Sequence, residues 1–389
     1  METMIKIVHL CSDDKFIDNA INIFEEAFPA QNIVCVYTKG QKAKVIKNRI
    51  DYHIGVKDVI FGIDYEEISQ ASVVIVHSLN STWYRTLEKL DKKIPIIWLG
   101  WGFDYYDIID PKNDRLLEKT AALEEQVCVR KKKNFKQYMR IFFDSKYRKK
   151  KTIERINYFS PVIPNEYEIL KSAKKWSSFP SQVDWNYSPS GNDLSDYVNE
   201  NMTLENMGLD ILIGNSATST NNHLEVFDLL KDFNIFGRNL VVPLSYGNAA
   251  YGAEIKKIGE ANFGDYFEAL IDFMPINIYM EKITKCGFVI MNHVRQQAVG
   301  NIIIMLYMGA KVFLREETPT YKFFKGLGVN VFSVQELERE HTQINSRLTN
   351  EEIEINRKIL DRIWSQQTLV EKTKRLINSV FYNEERFEY

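Results

Sequence analysis

The chain has 389 residues, 45% of them hydrophobic and 26% charged, with a formal net charge of −2. That length exceeds one ordinary core and points to two domains of about 150–200 residues, while the balance excludes a disordered or fibrous protein. Four scattered cysteines without a CxxC pair argue against a zinc ribbon or a disulfide scaffold and for a reducing cytoplasm.

The opening METMIKIVHLCSDD has neither the basic region nor the cleavage site of a secretory leader, so it reads as a first strand. IKIVHL (5–10), NIVCVY (32–37), SVVIVHS (72–78) and IPIIWLGW (94–101) are short β-branched runs of the kind that form parallel strands covered on both faces. Phe16, Ala20, Ile23, Phe24 and Ala27 recur at helical spacing between the first two, so the grammar is βαβ. Polar groups sit where these strands end: His9 with Ser12, Asp13 and Asp14; His77 with Ser78 and Asn80; and WLGWGFDYYD, where Asp104 lies among Trp98, Trp101, Phe103 and Tyr105. An aromatic wall desolvates a carboxylate toward general-base use and also stacks on sugar rings. Taken singly, each histidine reads equally as a satisfied buried imidazole, and Asp13 or Asp14 as a helix cap.

From Arg130 to Lys151 the chain carries eleven Lys/Arg against the single acid Asp144. Phe135, Tyr138, Met139 and Phe142 fall on one face there, which predicts an interfacial helix on an anionic membrane, the alternative being a helix whose apolar stripe faces its own domain. Nucleic acid is not favoured, because the remaining chain is acidic. INYFSPVIPNEYEILKS adds a late strand and helix, and SSFPSQVDWNYSPSGNDLSD (177–196) shifts to loop composition. The predicted division is therefore a first domain over 1–190 and a second over 191–389.

The alternation then restarts, with strands at 209–215, 239–247, 286–292 and 311–316, and helices at 223–233, 266–274, 294–309 and 350–380. ILIGNSATSTNNH (211–223) brings Gly214, Asn215, Ser216, Asn222 and His223 to the start of a helix, where backbone N–H groups favour an anion or a diphosphate; a plain helix cap is the rival reading. VVPLSYGN contributes Pro243, Ser245 and Tyr246, otherwise a β-turn, and MNHVRQQAVGN contributes Arg295, Gln296, Gln297, Gly300 and Asn301. A guanidinium there suits a bidentate grip on phosphate. No metal site and no resident cofactor are indicated. Ligands of open α/β sheets bind outside the carboxyl ends of the strands, so two such domains facing across a cleft are expected. That architecture suits a GT-B glycosyltransferase, with a two-domain solute-binding protein or dinucleotide enzyme fitting nearly as well.

ILIGNSATSTNNH, VVPLSYG and RQQAVGNIIIMLYMGAKVFL, with IVHLCSD, VHS, WGFDYYD and SSFPSQVD upstream, resemble in order the motifs of the bacterial 4-alpha-L-fucosyltransferase family, glycosyltransferase family 56. The resemblance implies a GT-B fold with two Rossmann-like domains. It also implies transfer of an N-acetylfucosamine-like or related deoxyhexose, from a nucleotide donor (a TDP-sugar favoured) to an undecaprenyl-diphosphate-linked saccharide at the inner membrane face. It assigns Gly214, Asn215, Ser216, Asn222, His223, Pro243, Tyr246, Arg295, Gln296, Gln297 and Gly300 to the donor side. His9, Asp13, His77, Trp101, Gly102, Asp104 and Tyr105 fall to the acceptor side, with Asp104, His77 or Asp13 as the proton acceptor. The chain departs from the family at SATST, at Ser78 where the family has glycine, and at Gln182 where it has arginine, and these departures leave the donor sugar open. A sugar-nucleotide epimerase or hydrolase and a non-catalytic nucleotide-sugar-binding protein are the competing functions.

Overall fold

The computed structural model describes residues 5–111, 115–127, 146–189, 193–197, 207–233, 235 and 237–382. Most of the basic stretch, and with it the predicted interfacial helix, lies outside the described residues. Contacts divide the chain into two units. Unit 1 comprises Met1–Pro111, Lys132–Asn192 and Ile363–Tyr389; unit 2 comprises Lys112–Lys131 and Asp193–Arg362.

Unit 1 is built on a parallel sheet of β1 (Ile7–Ser12), β2 (Asn32–Tyr37), β3 (Tyr52–Ile54), β4 (Val73–His77), β5 (Ile96–Leu99), β6 (Tyr158–Ser160) and β7 (Ser181–Gln182), in the spatial order β3-β2-β1-β4-β5-β6-β7. Strand order reverses between β1 and β4, which makes that gap the topological switch point where ligands of such sheets bind. β1 and β4 are buried on both faces, apart from the half-buried Ser12 that ends β1, as their unbroken β-branched runs require.

Unit 2 repeats the plan with β8 (Ile211–Ile213), β9 (Leu240–Pro243), β10 (Phe267–Leu270), β11 (Phe288–Met291), β12 (Lys311–Leu314) and β13 (Phe332–Ser333), ordered β10-β9-β8-β11-β12-β13. Its switch point lies between β8 and β11. No helix among the described residues is long and apolar enough to cross a membrane.

Four expectations need correction. Residues 266–274 do not form a helix, because Phe267–Leu270 pairs in parallel with Leu240–Pro243 after the long helix Ala249–Phe263. The helix expected from 294 begins only at Val299, since Ala298 stands at φ 57 in the left-handed region and RQQ stays in the preceding loop. The segment after 177 is not a solvated linker: it adds β7, then buries Val183 and Trp185, and the indole N–H of Trp185 donates to Thr373 Oγ1 at 2.8 Å. Finally, the closing helix Gln366–Tyr382 packs on unit 1, while Glu118–Val127 packs on unit 2, so the division is not a single cut near 190. Apolar burial explains the return, with Leu376 and Ile377 sharing a core with Ile7, Ala20 and Phe24.

Candidate functional site

In unit 2 the loops following β8 and β11 flank the switch point. Gly214, at φ +65, closes the end of β8; a Cβ there would stand 2.6 Å from Asn221 Oδ1 and 3.0 Å from His223 Nε2, so only glycine fits without displacement. The loop is then knitted side chain to side chain. Asn215 Nδ2 donates to the Tyr246 hydroxyl at 2.7 Å, Gln297 Nε2 donates to Asn215 Oδ1 at 2.9 Å, and Thr220 Oγ1 donates to Gln297 Oε1 at 2.7 Å. Asn215, Tyr246 and Gln297 are thereby brought together from three loops, as expected of one site. Tyr246 remains 54% exposed, Ser245 and Arg295 are half-buried, and Gln296 is buried. Gly300 and Asn301 fall in the first turn of Val299–Met308, and Pro243 is buried at the end of β9.

The helices His223–Lys231 and Val299–Met308, which begin at these two loops, both lack a side-chain cap. By contrast, Ala249–Phe263 is capped by Asn248, whose Oδ1 accepts from the N–H groups of Ala250 and Tyr251. Uncapped N–H groups beside fixed amide and hydroxyl dipoles suit a bound anion. The nearby Glu225 is turned away, accepting from the N–H groups of Lys119 and Thr120.

Asn222 and His223 sit beneath this surface rather than on it. Asn222, fully buried at φ 50, donates to Asn292 O at 3.0 Å and accepts the Leu117 N–H at 2.8 Å, which staples three segments together. His223 is also fully buried, with Nδ1 3.0 Å from the Tyr251 hydroxyl, and burial pushes its pKa down to about 3. His293, which the sequence reading passed over, lies alongside with Nε2 2.9 Å from Asn221 Oδ1 and a pKa likewise lowered to about 3 by burial. Both imidazoles are neutral supports for the loop. Ser216 is buried too, its hydroxyl paired with Thr218 Oγ1.

In unit 1 the carboxylates separate by their partners. Asp104 is buried: its Oδ2 accepts from Leu79 N–H and from the Trp98 indole, and its Oδ1 from Trp101 N–H, so it latches the loops after β4 and β5. Burial raises its pKa against these donors, yet the group has no open face and is no proton acceptor for a ligand. Asp13 accepts the N–H groups of Lys44, Val45 and Ile46 at 2.6–3.0 Å. Burial works upward there, but those donors outweigh it and hold the carboxylate below its ordinary range. His77 is fully buried with both ring nitrogens engaged, and burial, with the neighbouring His9, takes its pKa well below the ordinary value. Tyr105 is buried as well, its hydroxyl donating to Glu166 Oε2 at 2.6 Å, and Gly102 is buried at φ 86, where it lets the chain turn beneath Asp104.

Asp14 differs from all of these. It is half-buried, its Oδ1 accepts the Phe16 N–H at 3.3 Å, the Lys15 N–H also points to the carboxylate, and burial raises its pKa above the usual carboxylate range against these donors. Beside it the rings of Phe16 and Trp101 meet at 5.6 Å, those of Trp101 and Phe103 at 6.0 Å, and Phe103 is 61% exposed. Sequence marked the pair Asp13–Asp14, but nothing local tells them apart.

Residues 170–357, just under half of the chain, match the family model described as 4-alpha-L-fucosyltransferase glycosyl transferase group 56, the family that the motifs resemble. Among solved structures, the chain is similar to Anabaena HepE in complex with UDP and glucose (TM-score 0.60, 11% identity, 96% of this chain and 100% of that one). It is also similar to a glycosyltransferase from Rickettsia africae (0.62, 12%, 98% and 100%). A putative UDP-N-acetylglucosamine 2-epimerase from Listeria monocytogenes shares the fold as well (0.55, 13%, 99% and 100%). At such identities these likenesses show the fold, which is GT-B; with the family match, the chain is a glycosyltransferase.

Proposed function

We propose, for a glycosyltransferase of GT-B fold matching group 56, that unit 2 holds a nucleotide-sugar donor with its diphosphate over the β8 and β11 loops. The sugar transferred is an N-acetylfucosamine-like or related deoxyhexose, with a TDP-sugar favoured, and the acceptor is an undecaprenyl-diphosphate-linked saccharide. The observation that carries this reading is the Tyr246–Asn215–Gln297–Thr220 network at the switch point, beside the uncapped start of Val299–Met308. Arg295, in the same loop as Gln297, supplies the positive charge that the departing diphosphate needs.

Docking on the inner face of the membrane, through the basic stretch 130–151, would bring the enzyme to a lipid-linked acceptor. Within the described part of that stretch Lys149 is spent on Asp107 at 2.6 Å and Arg148 on Glu88 at 2.8 Å, so the contribution rests on the remaining cations. The test is incubation with labelled TDP-, UDP- and GDP-sugars and a bacterial membrane lipid extract. Label in the lipid fraction supports the reading, whereas donor turnover without labelled lipid favours an epimerase or hydrolase. Nucleotide binding without any turnover would leave only a binding protein.

A further inference from the structure

The loop 39–49 that leaves β2 carries Lys39, Lys42, Lys44, Lys47 and Arg49 and no acid, and all five residues are exposed. Its backbone is fixed from below. Asp13 accepts from the N–H groups of Lys44, Val45 and Ile46, Asp18 accepts those of Lys47 and Asn48 at 2.9–3.2 Å, and Ile46 is buried with Cys11, Ile17 and Val36. Both carboxylates are thus spent on main chain rather than on lysine side chains. Among the described residues only Arg49 of the five forms an ion pair, with Asp51, and the Lys44 ammonium acts on Asp13 through its field alone. The helix Val56–Phe61, which follows β3, buries none of its residues. Val45, Val56, Ile60 and Phe61 are 42–66% exposed. Helical spacing sets Val56 beside Ile60 and Lys57 beside Phe61, so the outer face mixes apolar and cationic groups, while Asp58 turns back to accept the Gly55 N–H at 2.7 Å. Loop and helix adjoin: the Thr38 N–H donates to Ile54 O at 3.1 Å, and a Cβ on Gly55 would stand 4.0 Å from Gly40 N. The next acids, Asp64 and Glu66, come only after Gly62, where the chain turns at φ 85.

We propose that the loop 39–49 and the helix Val56–Phe61 form a surface by which unit 1 binds an anionic lipid bilayer. The lysines meet lipid phosphates, and Val45, Val56, Ile60 and Phe61 enter the boundary between headgroups and acyl chains. A nucleic acid would satisfy the cations and leave the apolar side chains in water, whereas a purely apolar partner would desolvate the ammonium groups without return. A bilayer supplies both environments in layers, phosphate outside and hydrocarbon within. The surface is separate in sequence from the stretch 130–151, and its binding is independent of the reaction catalysed.

The experiment sediments the full-length protein with vesicles of phosphatidylglycerol mixed into phosphatidylcholine, and with vesicles of phosphatidylcholine alone. Wild type is compared with Lys42→Gln/Lys44→Gln/Lys47→Gln, with Ile60→Ser/Phe61→Ser and with Lys131→Gln/Lys132→Gln/Lys133→Gln, each checked for folding by circular dichroism. Wild type should bind the anionic vesicles, and phosphatidylcholine at least about 10-fold more weakly. The loop variant should lose at least about 30-fold in partition coefficient, since each lysine near such a surface is worth roughly fivefold. The helix variant should lose about 10-fold on the same vesicles. Adding the loop substitutions to the variant of 131–133 should cause the same loss of about 30-fold, which marks the two elements as independent. No binding of wild type to anionic vesicles, or either surface variant within threefold of wild type, overturns the proposal. A loss in the loop variant alone makes the surface a polyanion site and overturns the bilayer as its occupant. A loss confined to the variant of 131–133 overturns it too, and leaves docking to the stretch 130–151.

Discussion

Units 1 and 2 share a strand order and a support: each places two buried, neutral histidines beneath its switch point, His9 with His77 and His223 with His293. They differ in what the loops above present. Unit 2 offers amides, hydroxyls and helix starts locked by mutual hydrogen bonds, which suits an anion held in fixed dipoles. Unit 1 offers aromatic rings and carboxylates, of which Asp104 and Asp13 latch distant loops and Asp14 accepts only from its own turn. A common scaffold thus acquires opposite chemistry through a handful of loop residues, which is why fold likeness alone says little of the reaction.

The largest test concerns what the units share. The four buried histidines hold folded pKa values below their ordinary 6.5, so unfolding takes up protons, and stability is full above about pH 6.5 and falls as the pH drops toward 4. Each contributes about 1.4 kcal/mol per pH unit across that window, so thermal melts at pH 7.5 and 5.5 should differ by several degrees or more. An unchanged Tm would mean that these rings are charged or hydrated.

Next come the residues that separate the units. If it grips the diphosphate as proposed, Arg295→Ala should cut kcat by about 10²–10³ in protein that remains folded by circular dichroism; unchanged turnover would remove it from the site. Asp104→Asn should do the reverse, costing about 2–3 kcal/mol in denaturant titration because an amide nitrogen then meets backbone and indole donors. The smallest effect is expected from Ser78→Gly: Ser78 holds φ 68 with its hydroxyl buried and unpartnered, and release of that strain should stabilise by about 1 kcal/mol, visible as a small rise in Tm.

The sheets were legible because β1, β4, β8 and β11 are continuous apolar runs, and no helix period fits them. The edge strands β3, β7 and β13 are two or three residues long and carry too little pattern to register. Phe267–Leu270 read as helix because four residues cannot show a period, and its pairing with β9 is a tertiary fact. The ILIGNSATSTNNH motif was visible as a cluster, but which members lie at its surface was not: Asn222 and His223 are fixed by Arg115, Leu117 and Tyr251, remote in sequence. The carboxylates show the same limit. Asp13 and Asp14 are adjacent and chemically alike, and only the backbone at 44–46 consumes one and spares the other.

The return of Gln366–Tyr382 to unit 1 has a bearing on how the protein is made. Trp185 finds its Thr373 partner 188 residues further along the chain, and Lys372 reaches back to Asp184 and Asn186. On the ribosome, unit 2 can therefore close while unit 1 still shows bare apolar surface around Phe24 and Trp185. The domain begun first is finished last, and a chain stopped near 360 would leave the exit tunnel with its second domain built and its first still open to chaperones.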